Sequence, residues 1–287
     1  LDRFVMARLE TEGLAPEPEA DAATLLRRAS LALTGLPPTP DELDALRRDR
    51  APDRYERAVD RLLASPRYGE HQARYWLDAV RYGDTHGLHL DNERSIWPYR
   101  DWVVRAFNTN LGYDEFVTWQ LAGDLLPNPT TEQRIATGYV RMNPTTNEGG
   151  AIEAEFLAKN TFDRVDTTST VMMGVTMACA RCHDHKYDPF AQRDYFGLYA
   201  FFNSTRDTPL HRNALLHGPV MRAPTPEQER QLQQMDAQLR HLEAGSDRAE
   251  VEAWARHQEK VRPQVGAWQI SPVYGAATFD AAFDTAF

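Results

Sequence analysis

The order of hydrophobic and polar residues over most of residues 1–205 predicts short helices separated by capping signals. Residues 39–42 supply a capping threonine, a first-turn proline and an acid at the third helical position, ahead of Leu43 and Leu46. A serine–proline pair at residues 65–66 repeats this signal before a helix that we expect to reach about Tyr82. The pattern therefore favours an irregular multi-helix domain.

The pattern changes in the last third of the chain. Leu232, Met235, Leu239 and Leu242 are spaced by three and four residues, a glycine-containing turn follows, and apolar residues then resume, which predicts a helical hairpin. Residues 263–287 are rich in aromatic and branched residues that favour strands. We thus expect a mainly α-helical chain with a helical domain over 1–205, a linker and hairpin over 206–262, and the start of a β-rich domain over 263–287.

Composition and charge exclude some classes of function. The 287 residues carry a formal net charge of −10 without a long basic run, so the chain does not predict a nucleic-acid surface. No apolar run has the length of a membrane span, so we expect no transmembrane segment in these residues. Because Leu1 follows no initiator methionine and Phe287 ends a strand-like stretch, we expect a segment of a longer polypeptide.

The strongest chemical signal is at residues 179–183, where Cys-Ala-Arg-Cys-His contains the only two cysteines of the chain. This is the attachment pattern of a c-type haem: Cys179 and Cys182 add to the two vinyl groups, and His183 becomes an axial iron ligand. Such attachment takes place outside the cytoplasm, so the motif predicts a periplasmic or otherwise exported protein. Haem c is the expected cofactor.

Other chemistries fit the same residues. A Cys-x-x-Cys pair can be a redox dithiol or a structural disulfide. Cys179, Cys182, His183 and His185 also offer four ligands of the types that suit zinc, although zinc sites usually take their ligand pairs from two separated segments. These alternatives correspond to a non-redox scaffold in place of a haem domain.

Several further residues are candidates for catalysis or for the second axial position. His86 and His89 lie in a polar loop between two predicted helices and are the candidate distal ligands, while Asp91 in the same loop could complete an acid–base pair or a metal site. Glu148 lies in a second polar loop. His185 is too near His183 in sequence to reach the opposite face of a haem, with a reach of roughly 7 Å, and we expect it to shape the haem edge.

Six sequence blocks resemble the cytochrome-associated domain of unknown function found in large exported proteins of planctomycetes and related bacteria. They are LDRFV at 1–5, LTGLPPTP at 33–40, LASPRYG at 63–69, YRDW at 99–102, QLAGD at 120–124 and the Cys motif through 189. The resemblance covers residues 1 to about 205. It implies a preceding cytochrome c module, a following domain of unknown function, and proximity to polysaccharide-degrading enzymes.

Taken together, these features predict an exported c-type haem domain within a larger multi-domain protein. It would act in electron transfer or in oxidation, with carbohydrate-related substrates as one possibility implied by the resemblance. Whether the domain is itself a haem-dependent oxidoreductase is left open by the residues, as is a separate metal-dependent site in the polar loops. The alternative is a structural or polysaccharide-binding scaffold whose cysteines hold zinc or form a disulfide.

Overall fold

The computed structural model describes residues 1–146, 148–210, 218–245, 248–261 and 267–269. Within these ranges the chain is mainly helical, as the sequence predicts. The α-helices, numbered α1 to α12 in chain order, are Asp2–Thr11, Ala22–Thr34, Pro40–Arg48, Arg54–Leu63, Pro66–Ala79, Trp97–Asn108, Tyr113–Ala122, Thr131–Ala136, Glu153–Met173, Gln192–Phe202, Pro226–Gly245 and Arg248–Val261. No helix in the described ranges is both long enough and apolar enough to cross a membrane.

The helix ends follow local chemistry. The predicted capping box at Thr39 is confirmed, because its hydroxyl accepts the Glu42 N–H and the Glu42 carboxylate accepts the Thr39 N–H. Gly35 ends α2 with a φ of 70°, a conformation that glycine adopts without steric cost. Pro66 begins α5 as predicted, although the helix ends at Ala79, three residues before Tyr82.

The chain divides into two compact units, Leu1–Gln72 and Ala73–Phe287, a division that the sequence pattern did not predict. In the first unit, α2 packs against α3 and α4 around a small apolar core. Its buried members are Leu26, Ala29, Leu46, Ala58 and Leu62. This unit contains none of the predicted site residues.

The second unit has a larger core in which aromatic rings of α5, α6 and α7 meet. Trp102 stacks on Phe116 with 5.3 Å between ring centroids, and Trp76 contacts Phe116 edge-on at 4.8 Å. Tyr99 is fully buried beside them. Burial of large aromatic surfaces of this kind supplies much of the driving force for folding.

Helix α9 is the longest helix in the described ranges, and it carries several buried polar side chains. It packs against α10 and ends at Gly174, which has a φ of 68°. An unusual share of its buried positions is polar: Asn160, Thr161, Arg164, Thr167, Thr168 and Ser169. Polar groups are buried at low cost only when they find hydrogen-bond partners, so this face of α9 indicates a buried polar network.

The predicted hairpin is present as the packed pair α11 and α12. Residues Val220–Arg222 form strand β1, which pairs antiparallel with β2 at Ala267–Gln269. The rest of the predicted β-rich segment, residues 270–287, lies outside the described residues, as do residues 263–266.

Candidate functional site

The Cys motif begins just after α9 in a short 3₁₀ turn, Ala178–Arg181. Met177 and Ala180, three residues apart, are buried and anchor the turn in the core. Cys179 and Cys182, also three apart, are free thiols on its exposed side. Because one face of the turn is buried and the other is open, both sulfur atoms are accessible to a reagent or cofactor approaching from solvent.

The His183 side chain is exposed, and a hydrogen bond fixes its protonation pattern. Its Nδ1 lies 2.7 Å from the carbonyl oxygen of Asp184. A carbonyl can only accept, so Nδ1 is the donor, and in the neutral imidazole Nε2 is the nitrogen that keeps its lone pair. This is the arrangement in which histidine binds a metal through Nε2 while its other nitrogen is held by a backbone carbonyl.

His185, which the sequence predicts at the haem edge, accepts hydrogen bonds within the turn that follows the Cys motif. The backbone N–H groups of Tyr187 and Asp188 both donate to its Nδ1, at 3.3 and 2.9 Å. That nitrogen therefore carries no proton, and its 3.4 Å distance from the Asp188 carboxylate is not an ion pair. The backbone N–H of His185 donates to the backbone carbonyl of Phe190 at 2.8 Å. His185 thus holds the 185–190 turn together.

The segment after the second cysteine is tied to α9 and α10. The Arg181 guanidinium lies 3.6 Å from the centroid of the Phe162 ring, a cation–π contact. Gln192 donates its backbone N–H to the Asp184 carboxylate at 2.8 Å and its side-chain amide to the Arg181 carbonyl at 3.1 Å. These contacts hold the exposed cysteines and histidine on a braced segment.

The structure separates the candidates of the 83–94 loop. His86 is buried, and a 2.6 Å hydrogen bond joins its Nδ1 to the Thr145 hydroxyl. His89 and Asp91 are exposed, and Asp91 closes the loop by accepting the Gly87 N–H at 2.7 Å. Hydrogen bonds from the Thr85 hydroxyl and the Gly87 N–H lower the pKa of Asp91. Glu148 is exposed in the second polar loop.

A buried charged cluster, which the sequence did not reveal, lies beside His86. It consists of Arg94, Arg141, Arg164 and Asp207, all buried or with buried side chains. Burial lowers the pKa of Arg94 to about 10 and that of Arg141 to about 10, so both remain protonated at neutral pH. These residues are scattered between positions 94 and 207, and no local pattern marks them.

Some of the cluster residues line a small cavity in the second unit. Its lining consists of His86, Arg94, Arg141, Asn143, Thr145, Asp207 and Thr208. The empty volume is about 240 Å³ including the part that opens to solvent, and the enclosed part has room for about one water-sized group. His86 is the one predicted site residue in this lining, which includes none of the Cys-motif residues.

The described residues contain no group of three or more His, Cys, Asp or Glu side chains arranged to hold a metal ion. The four residues suggested for zinc are therefore not gathered into a ligand set in the described structure. Cys179 and Cys182 are likewise free and do not form the alternative disulfide.

Comparison with known proteins places the chain in a family. The model of the PSCyt2 family, described as a protein of unknown function (DUF1549), matches residues 1–207. The chain belongs to this family. The PSCyt2 match includes the Cys motif and extends through Asp207, so the buried cluster also lies within the family domain. A search of curated proteins found no match, and neither did a search of solved structures.

Proposed function

We propose that the PSCyt2 domain carries one covalently attached c-type haem and acts in electron transfer or oxidation. Cys179 and Cys182 are the attachment residues, and His183 is the axial ligand. The observation that supports this most directly is the protonation pattern of His183, whose Nδ1 donates to the Asp184 carbonyl and leaves Nε2 for iron. The free, exposed thiols three residues apart support it as well.

Attachment needs no oxidant. Each thiol adds across a vinyl C=C bond: a C–S bond forms, the thiol hydrogen goes to the other vinyl carbon, and a thioether results. When bound, the haem would supply one-electron chemistry at its iron. The chain contributes two covalent tethers, one imidazole ligand and the braced segment that orients them.

The remaining assignments follow from the attachment chemistry and from the family resemblance. Haem attachment makes an exported, periplasmic-type location part of the proposal. Electrons would pass between this domain and a cytochrome c module of the same polypeptide, with its C-terminal domain and a polysaccharide as further partners. An oxidoreductase role would place the substrate beside the haem.

The sixth iron position can be filled by His89 or His86. The exposed side chain of His89 could bind the iron without leaving a buried position, whereas His86 would have to break its buried hydrogen bond with Thr145. We therefore give His89 priority as the distal ligand. In His89→Ala the reduced-state spectrum and the potential should change, and an unchanged spectrum in both His89→Ala and His86→Ala would remove this loop from the iron.

The deciding experiment is export of the protein in a host with haem-attachment machinery. Non-covalent haem is extracted with acidified solvent, and the alkaline pyridine spectrum and metal content of the remaining protein are recorded. We expect one haem per chain with the spectrum of two thioether links. The double variant Cys179→Ala/Cys182→Ala should retain none, while Cys179→Ala alone should show the spectrum of a single link.

Two results would overturn the proposal. Folded wild-type protein without covalent haem, but with one equivalent of zinc or a Cys179–Cys182 disulfide, would assign the cysteines to a non-redox scaffold. Equal haem retention by the wild type and the double variant would show that the association is not through these thiols. The helical circular dichroism of each preparation establishes that it is folded.

A further inference from the structure

The buried cluster beside His86 contains more positive than negative charge. Arg94, Arg141 and Arg164 contribute three cations, and Asp207 is the one carboxylate with an almost completely buried side chain that joins them in the described core. Asp163 also attracts Arg164, but its side chain is partly exposed and is paired with Arg81. Asp84 and Asp91 also attract Arg94, but both carboxylates are exposed and therefore screened by water. Burying uncompensated charge is costly, so this excess calls for an explanation.

The hydrogen bonds show where the excess lies. Arg164 is fully engaged: its guanidinium donates to the Asp207 carboxylate, to the Thr205 hydroxyl at 2.8 Å and to the Val140 carbonyl at 2.9 Å. The positive charge of Arg141 also acts on Asp207 and lowers the pKa of its carboxyl group. This carboxylate is thus engaged by Arg164 and lies near Arg141, and among the described residues it leaves Arg94 without a buried counter-charge.

Within the described residues, Arg94 donates its hydrogen bonds to neutral carbonyl groups. Its Nη1 donates to the carbonyls of Arg141 and Asn143, at 3.0 and 3.2 Å, and its Nη2 donates to the Gly83 carbonyl at 3.2 Å. Among the described residues, its buried Nε has no hydrogen-bond partner. A fully desolvated guanidinium held by carbonyls keeps its charge available for a further acceptor.

Arg94 and Arg141 both line the cavity, together with groups that can donate or accept hydrogen bonds. The hydroxyls of Thr145 and Thr208 and the amide of Asn143 complete a polar wall. The enclosed part has room for a group of about water size and the remainder opens to solvent. A small enclosed space lined by two arginines can hold one end of a small anion, and the opening leaves room for the rest of the molecule.

We propose that this cavity binds a small monoanion of carboxylate type, either as a free ion or as the end of a larger molecule. Arg94 and Arg141 supply the charge that recognises it, and Asn143, Thr145 and Thr208 supply neutral polar contacts. The site is separate from the Cys motif, none of whose residues line the cavity, and the proposal does not depend on haem attachment.

The test uses the full chain and ¹³C-labelled formate, whose resonance should broaden or shift in a saturable way as protein is added. Neutral formamide, which has nearly the same size, should show no such saturation. Arg141→Met removes one of the two cations that line the cavity and should weaken formate binding at least tenfold. The variant keeps the backbone carbonyl that accepts from Arg94, so this contact of Arg94 is preserved. Arg105→Met is the matched control, because Arg105 forms an exposed pair with Glu132, and its binding should be unchanged.

Benzoate distinguishes the two sources of the carboxylate. Displacement of formate by benzoate would indicate that the site takes the end of a larger molecule, whereas displacement by acetate alone would indicate a free ion. Absence of saturable formate binding to wild type, equal binding of formamide, or full binding by Arg141→Met would each overturn the proposal. If Arg141→Met does not fold, the formate–formamide comparison on wild type decides.

Discussion

Arg164 on helix α9 pairs with Asp207, 43 residues away in sequence, and both side chains are almost completely buried. The pair fastens the segment after α10 to the longest helix of the second unit. Asn143 joins it, because its side-chain oxygen accepts from the Arg164 guanidinium at 3.2 Å. This network joins α9 to Asn143 and Asp207, both of which line the cavity.

Asp207→Asn should strongly destabilise the fold. The change leaves Arg164 buried without its counter-charge, and loss of one partner of a buried pair typically costs about 3–5 kcal/mol. Denaturant unfolding followed by circular dichroism measures the free energy. Glu70→Gln breaks the exposed Arg67–Glu70 pair and is the control, with an expected cost of about 0–1 kcal/mol. Equal costs for the two variants would contradict a stabilising role for the buried pair.

The same pair predicts a pH dependence. Burial by itself raises the pKa of Asp207, but the charges of Arg164 and Arg141 lower it by more, to well below its ordinary 3.8. The folded pKa lies below the unfolded one, so the stability it provides is present above about pH 4 and is lost as the pH falls further. Unfolding free energies between pH 6 and 3 should therefore fall more steeply in wild type than in Asp207→Asn.

The side chains of partly buried Trp76 and of fully buried Tyr99 and Gln120 form a second testable network. The Gln120 side-chain oxygen accepts from the Tyr99 hydroxyl at 2.6 Å and from the Trp76 indole N–H at 3.0 Å. Gln120→Leu should cost about 1–3 kcal/mol, since it leaves the buried Tyr99 hydroxyl without its acceptor. In the Gln120→Leu background, Tyr99→Phe should reduce the free energy of unfolding by less than it does in wild type. Strictly additive costs in the double-mutant cycle would show that the two residues are not coupled.

His185→Ala should loosen the turn after the Cys motif without removing covalent haem. The imidazole accepts the Tyr187 and Asp188 N–H groups, so both amides should exchange faster with solvent in the variant. Hydrogen exchange of these two amides measures the effect. Loss of haem with no change in exchange would instead assign His185 to the haem site.

The helices could be predicted from the sequence because their signals are local. A capping threonine, a proline in the first turn and a glycine after the last turn act within a few residues, and Thr39, Pro66 and Gly35 each act in this way in the structure. Helix α5 ends at Ala79, three residues before the predicted Tyr82, and Arg81 just beyond it adopts a φ of 62°.

Several blocks that mark the family resemblance have a structural explanation. In the 120–124 block, Gln120 belongs to the buried network, and a Cβ on Gly123 would lie 2.1 Å from the Gln133 carbonyl oxygen. In the 99–102 block, Tyr99 and Trp102 are core residues. The Cys motif differs from these blocks, because its cysteines and His183 are exposed and are not needed for packing.

The sequence by itself determined the helical class, the helix starts and the Cys-x-x-Cys-His motif, because each depends on groups separated by only a few covalent bonds. The tertiary structure alone decided that His86 is buried while His89 is exposed, that His185 holds a turn, and that three arginines meet one aspartate around a cavity. Those outcomes depend on residues brought together from distant positions between 83 and 208. Burial, which changes what a charge or a ring nitrogen can do, is a property of the folded chain.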